Sequence, residues 1–398
     1  PLPRYAAAMT DSSKTSTELV NGLQTEFYHL VQSALYHADG MWGDATVDLY
    51  FTDLPKDHGF MLATGIHAAI DSILNLRFSE DDIQWLQEQA ITGSLRTTFS
   101  ESLRHFAFSG DIWAVHEGTP IVPNEPIVRI TAPLPHVALF ELHLTQAISF
   151  ATGVATQADR LVRAAQGRPI HDFGSRRYNS VEAGIASARA AWIAGCDGTS
   201  HAHAARTLGL PAVGVVSDTM LAAYDDVRVA YQALSAHFPD GCHVNLPSHD
   251  LLGAIDLLDG LGAHVKAVRI DSSNLEADSR AARAKLDLMG LSSTQILGSG
   301  SLGPPHIAAL VDADAPIDGF TIGRSLGEAS IRSSAPLSYR MAELVRGTAP
   351  SPVNGHWSTP WPGRKQIYRF ADHDMVATSI EGENLQGTPL LQHWVASG

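Results

Sequence analysis

The residues His171-Asp172-Phe173-Gly174-Ser175-Arg176-Arg177 put a carboxylate, an aromatic ring and two guanidinium groups into one short stretch. An apolar lead, Pro169-Ile170, precedes it and a helix-like run from Ser180 to Ala194 follows, so it reads as a strand-to-helix turn. Such a turn suits a planar, anionic small molecule. The ring can stack, and an arginine grips carboxylate or phosphate with two parallel hydrogen bonds. Taken alone, the heptapeptide reads more simply as a strand end with a solvated arginine pair, and Arg177 in particular as one half of a structural ion pair. Comparable clusters recur downstream, however: Gly198-Thr199-Ser200-His201, Ser217-Asp218-Thr219, Asn245 with Ser248-His249, and Arg269-Ile270-Asp271-Ser272-Ser273. Two Gly/Ser turns complete the series, Gly298-Ser299-Gly300-Ser301 and Gly323-Arg324-Ser325. Each precedes a helix-like segment, where backbone N–H groups can cradle a phosphate. With Arg269 and Asp271 on the neighbouring strand, they point to a phosphorylated sugar.

The elements that must position these groups alternate. From Pro169 on, candidate strands begin near Pro169, Gly195, Pro211, Cys242, Val265, Thr294 and Asp318. Amphipathic helices lie between most of them, most clearly Asp218–His237, 250–261, 277–289 and 305–312. This rhythm predicts a parallel sheet closed into an irregular α/β barrel, with ligands beyond the carboxyl ends of the strands. A doubly wound open sheet satisfies the same periodicity. The earlier part reads as α+β. Glu18 to Ala38 has helical spacing, with Tyr28 off the apolar stripe. Ala45 to Phe51 alternates like a strand, and Phe60 to Leu74 reads as a helix. Ser79 with Glu80-Asp81-Asp82 signals another helix start, and 111–129 is β-like. A long helical pattern covers 134–165. After Leu337 the rhythm breaks, 350–362 reads as loop, and Gly363 to Arg369 returns to a basic strand that packs back on the first domain. The expected organisation is a loose tail over 1–17, an α+β domain of 18–133 plus 346–398, and a barrel of 134–345 that binds the phosphorylated sugar.

With 398 residues, 44% hydrophobic and 17% charged, the chain is globular. Its formal charge of −15 argues against nucleic acid and anionic membrane surfaces as partners. No apolar run is read as membrane-spanning, and Pro1 to Thr17 lacks the basic head and apolar core of a signal peptide, with Met9 a candidate start. Two cysteines, Cys196 and Cys242, exclude a disulfide framework and suit a reducing cytoplasm. His201, His203, His249 and His264 fall in no ligand motif and read as ordinary histidines, so no protein metal site is expected. Asp218 fits either a helix N-cap or a pocket residue, and both can hold.

Taken together, His171–Arg177, Gly198-Thr199-Ser200, Val268-Arg269-Ile270-Asp271-Ser272, Pro316-Ile317-Asp318-Gly319-Phe320 and Trp361-Pro362-Gly363-Arg364-Lys365-Gln366 resemble the nicotinate phosphoribosyltransferase family. The match is colinear from about Leu23 to Arg369. The resemblance implies a type II phosphoribosyltransferase of NAD biosynthesis, with an α+β N-terminal domain, an incomplete barrel, and a homodimer with shared active sites. It implies that Phe173 stacks on the pyridine ring, with Tyr28 reaching in from the partner subunit, and that Arg176 binds base or pyrophosphate. Thr199, Ser200, Ser217 and Asp218 would line the substrate site, with Asp218 among the catalytic groups beside Arg176, Arg269 and Asp271. Arg269 and Asp271 would hold the phosphoribosyl group, and Gly298, Ser299, Gly300, Ser301, Gly323 and Arg324 the 5′-phosphate. Mg²⁺ would enter with phosphoribosyl pyrophosphate. Ser200 stands where nicotinamide-specific relatives carry aspartate, which favours a carboxylated base.

Three departures from the family pattern follow. Asp218 occupies the place of a histidine that ATP phosphorylates, which puts ATP coupling in doubt. Thr52-Asp53 replaces a basic pair, and Pro247-Ser248-His249-Asp250 replaces an Asp-Thr-Tyr-Asp run. An active transferase on nicotinate or a similar aromatic acid, one specialised for a different base, and a non-catalytic phosphoribosyl-binding relative all fit the pattern. The retained Arg176, Arg269, Asp271 and glycine turns favour an active enzyme.

Overall fold

The computed structural model describes residues 19–89, 96–238, 241–261, 265–327, 336–347, 349–353, 361–378 and 381–396. The expectations for residues 1–17 and for His264 lie outside the described residues. The chain divides into two compact units, residues 1–153 with 333–398, and residues 154–332.

The first unit is built on a six-stranded antiparallel sheet in the order Ala349–Pro352, Leu337–Arg346, Asp44–Phe51, Val128–Pro133, Asp111–Ala114, Gln392–Val395. Alternation along Asp44–Phe51 sends Ala45, Val47, Leu49 and Phe51 into the apolar core. The other phase carries Thr46, Asp48 and Tyr50, all buried as well. There Asp48 meets Lys365 at 2.6 Å, and both side chains are almost fully buried. The Lys365 ammonium also donates to the carbonyls of Gly363 (2.8 Å) and Trp361. Arg129 lies over the Trp113 ring at 5.0 Å and donates to the Lys365 carbonyl. Burial raises the Asp48 pKa, and Lys365 and Arg129 pull it back.

Helix Glu80–Glu88 opens with the capping box that its sequence signals. Ser79 Oγ accepts from the Asp82 N–H, and Asp82 returns the bond to the Ser79 N–H. Two helical readings shorten. In 18–38 the helix is Phe27–Ala38, and Val20–Asn21 instead pairs in parallel with Leu76–Arg77. In 60–74, Met61–Leu62 is a strand and the helix Ile66–Leu74 begins after Gly65. Gly65 has φ +84°, and a Cβ there would lie 2.3 Å from the Ala147 carbonyl oxygen, so close packing ends the strand. Helix Leu134–Ala164 is long and apolar enough to cross a membrane by length and composition, contrary to the reading that no segment is. Its apolar residues Leu134, Leu139, Phe140, Leu144 and Ile148 are instead core of this unit.

A second charged cluster in this unit has a consequence for stability. Glu125 is 3% exposed and accepts from the Val122 N–H at 2.8 Å. Arg369 grips the neighbouring Asp374 with three bonds, of 2.9, 3.2 and 2.5 Å. Burial, with Asp374 beside it, pushes Glu125 from its ordinary 4.5 up to about 7. A carboxyl whose folded pKa is raised stabilises while protonated in both states and loses that contribution as pH climbs through the folded pKa. Unfolding free energy is therefore expected to fall by on the order of 3 kcal/mol between pH 5 and pH 8, and Glu125→Gln should abolish that part of the slope. Equal slopes in denaturant titrations of the two proteins would show that another group is responsible.

The second unit contains a six-stranded parallel sheet in the order Cys242–Leu246, Val265–Asp271, Gln295–Ser299, Gly319–Ile322, Ile170–Asp172, Gly198–Thr199. The last strand in sequence pairs with the first. At the far edge Thr199 bridges Ala212, which is all that remains of the strand expected near Pro211. Among the described residues no pairing joins Ala212 to Cys242–Leu246, so the ring of strands is interrupted there. This is an incomplete barrel and not a doubly wound sheet. The helix expected over 218–237 is two, Asp218–Ala222 and Val227–His237. Asp226 starts the second by accepting from the Arg228 N–H at 2.8 Å.

Candidate active site

Parallel pairing sets Asn245 beside Arg269 and Asp271 beside Ser299, so neighbouring strands bring their polar residues to one end of the barrel. Arg269 is the hub. Its Nη1 donates to Asn245 Oδ1 at 2.8 Å, and its Nη2 donates to Asp271 Oδ2 at 2.8 Å and Ser299 Oγ at 2.6 Å. These groups line a cavity of about 460 Å³. Phe173 and Arg176 form part of its wall, as do Ser200, Ser217 and Asp218. The glycine turns supply Ser299, Gly300, Ser301, Gly323 and Arg324.

The turn that carries Phe173 is fixed from behind by Asp172, which is 1% exposed. Its two oxygens accept from the Gly174 N–H (2.8 Å) and from Thr199 Oγ1 (2.9 Å). Burial raises its pKa and these bonds lower it. Gly174 has no room for a side chain, since a Cβ would stand 2.6 Å from the Tyr178 hydroxyl. Thr199 therefore sits behind the wall, buried, and braces the turn. Gly298 is also behind it, where a Cβ would press on Leu275, Ile317 and Phe320. Gly300, with φ +117°, keeps the backbone open next to Asp271. Tyr28 belongs to the first unit, where it is 57% exposed on its helix.

Two local readings change. Arg177 reads from the sequence as half of an ion pair, but it lines the cavity beside Arg176. Asp218 is not the helix N-cap. Ser217 is, accepting from the Met220 N–H at 3.1 Å, which leaves the Asp218 carboxylate to accept from Asn245 Nδ2. The segments Thr52-Asp53 and Pro247 to Asp250 are surface turns. Asp53 accepts from the Leu54 N–H, and Asp250 caps helix Leu251–Asp256 through the Gly253 N–H.

Several residues of the cavity wall carry no role in the sequence pattern, Asn245 and Thr321 among them. Asn245 appears only as a polar strand end, although it touches both Asp218 and Arg269. Thr321 is 1% exposed and its hydroxyl has no hydrogen-bond partner. In Gly319-Phe320-Thr321-Ile322 a β-branched threonine reads as a strand former, and only its alternation with Phe320 signals the inner face. Among the described residues no His, Cys, Asp and Glu side chains cluster as a metal cage.

A cavity walled by the Phe173 ring, an arginine hub and glycine turns lies at the strand ends of an incomplete, irregular barrel. Comparison with known proteins gives the family. Residues 23–149 match the nicotinate phosphoribosyltransferase N-terminal domain. Over 388 residues the chain is 33% identical to nicotinate phosphoribosyltransferase pncB2 of Mycobacterium tuberculosis, covering 95% of this chain and 82% of that one. It is 28% identical to the nicotinate phosphoribosyltransferase of Bacillus subtilis, covering 87% and 73%. The fold is shared with a nicotinate-nucleotide pyrophosphorylase from Pyrococcus furiosus (TM-score 0.74, 22% identity, 94% of this chain and 89% of that one). It is shared also with human nicotinic acid phosphoribosyltransferase (TM-score 0.72, 20% identity, the same coverage). This chain belongs to the nicotinate phosphoribosyltransferase family.

Proposed function

We propose that this chain transfers the phosphoribosyl group of phosphoribosyl pyrophosphate to nicotinate or a closely similar aromatic acid, and does so without ATP. The observation that carries the reading is the Arg269 hub, which shares one cavity with Phe173, Arg176 and both glycine turns. In the reaction the bond from the ribose C1′ to the pyrophosphate oxygen breaks and its electron pair leaves with pyrophosphate. The ring nitrogen lone pair of the acceptor then forms the new bond to C1′. No side chain need act as nucleophile; positioning and electrostatics suffice. Phe173 stacks on the acceptor, and Arg176 meets anionic oxygen. Asp271 is placed for ribose hydroxyls, and the turns at Ser299-Gly300-Ser301 and Gly323-Arg324 for the 5′-phosphate. Asp218 and Asp271 face the cavity and suit the water shell of a Mg²⁺ carried in on the pyrophosphate. Tyr28 would complete the site from the partner subunit of a homodimer. The two buried free thiols, Cys196 and Cys242, suit the cytoplasm, a placement that cell fractionation tests.

Two substitutions direct the specificity. Ser200 presents a neutral hydroxyl where an aspartate would repel a carboxylate. Asp218 replaces the phosphorylatable histidine, and its Oδ1 is already engaged by Asn245. A pyrophosphate-release assay decides both points when run with nicotinate or nicotinamide, with and without ATP. Nicotinate is expected to be preferred by roughly 1.5–3 kcal/mol, the usual worth of a hydrogen bond to a charged group, and ATP should leave the rate unchanged. Equal turnover of acid and amide would remove the specificity assignment. ATP-stimulated turnover, with label from γ-labelled ATP that disappears in Asp218→Asn, would establish coupling instead. A wild-type protein that releases no pyrophosphate with any aromatic acid would be a binding protein.

A further inference from the structure

We propose that Asn245 is a positioning residue that holds the two opposite charges of the site apart, Asp218 on one side and Arg269 on the other. This rests on the transferase reading of the cavity and adds to it a residue which that reading does not use. Asn245 is 4% exposed, yet its side chain faces the cavity. A carboxylate can only accept and a guanidinium can only donate, so the partners fix the amide orientation. Nδ2 must point at Asp218 Oδ1, and Oδ1 must receive Arg269 Nη1. The backbone is pinned as well, since the hydroxyl of the fully buried Tyr231 donates to the Asn245 carbonyl at 2.9 Å.

The amide therefore stands as a neutral spacer between an anion and a cation. Without it, Asp218 and Arg269 are free to close on each other, and a direct ion pair would tie up Asp218 and put a second carboxylate on an Arg269 that already pairs with Asp271 at 2.8 Å. With it, Asp218 Oδ2 stays available for the cationic sugar or a metal-bound water. Arg269 stays fixed by Asp271 and Ser299 on its other edge. Asn245 need not touch the reacting atoms; it acts through the two residues it separates.

Three variants test this by steady-state kinetics on the full chain, with thermal unfolding as the control for folding. Asn245→Leu keeps the size and removes both bonds. It should lower kcat about 100-fold, the effect of an ångström-scale misplacement of catalytic groups, and leave the KM for nicotinate unchanged. Asn245→Asp keeps an acceptor for Arg269 but sets two carboxylates face to face, and should lose at least as much. Adding Asp218→Asn to Asn245→Asp restores an amide-to-carboxylate bond in the reverse direction and should recover about tenfold in kcat, a coupling that two independent sites would not show. A merely structural asparagine gives no such recovery. Wild-type kcat in Asn245→Leu, or an exchange double variant no faster than Asn245→Asp alone, overturns the proposal while the transferase assignment stands. If Asn245→Leu fails to fold, the comparison of Asn245→Asp with the exchange variant decides the matter. A wild-type protein without turnover defeats the assignment itself, and the positioning role with it.

Discussion

Arg269→Ala is expected to lower kcat/KM for pyrophosphate release by about 10³-fold, the usual result of deleting a preorganised cationic donor from a site where charge develops. The loss has two sources. One is the cation that would face the anionic substrate. The other is the frame it builds, because Asn245 Oδ1, Asp271 and Ser299 all lose the same donor. Arg269→Lys should recover little, since an ammonium cannot span three strands in a plane. The same variant tests the shared site. Mixed with Tyr28→Ala, whose side chain is exposed on its own helix, it should regain part of the activity by forming one intact site per dimer. Arg269→Ala within tenfold of wild type would remove the hub from the mechanism. Mixed subunits as inactive as either parent would confine the site to one chain.

The largest stability effect is expected in the first unit, at Lys365. Replacing it with Met leaves Asp48 buried without its counter-ion, a change that typically costs about 3–5 kcal/mol. Burial already drives the Asp48 pKa upward against the pull of Lys365, so removing the lysine raises it further. An acid with a raised folded pKa is most costly above that pKa. The deficit should therefore be greatest in alkaline buffer and shrink as acid protonates Asp48. The double change Asp48→Leu with Lys365→Met should restore most of the loss, because apolar contact can replace an ion pair of this kind. Urea midpoints of the wild type and the two variants at two pH values check it. An unaltered midpoint in Lys365→Met would mean that water reaches the pair.

What the sequence made legible follows from geometry. In a parallel sheet the strand bodies are buried on both sides and only their carboxyl ends meet ligand, so polar residues at the ends of apolar runs stand out. That is why Phe173, Arg269, Asp271 and the glycine turns could be picked from the chain and are found on one cavity wall. Closure could not be read, since the pairing of Gly319–Ile322 with Ile170–Asp172 leaves no local signal. Ala349–Pro352 reads as loop because of Pro350 and Pro352, yet it is a strand, tolerated because it lies at the sheet edge with one neighbour. Ser217 and Asp218 are equally good caps by composition, and the choice was made by Asn245, a residue 27 positions away. Asn245 itself looks like an ordinary polar strand end until its partners are known.

The interruption in the strand ring between Ala212 and Cys242–Leu246 bears on how such an enzyme can change over time. A residue in a two-sided ladder is constrained by both neighbours, and a one-residue change of spacing there turns the rest of that strand's side chains to the other face. At the gap, Val215 to Thr219 reach the cavity from a loop and a short helix that no ladder holds. Asp218 and the turn from Pro247 to Asp250 lie at the two borders of this gap. It is the hatch of the barrel, a panel whose chemistry can be refitted while the strands bearing Arg269, the glycine turns and Phe173 stay in register.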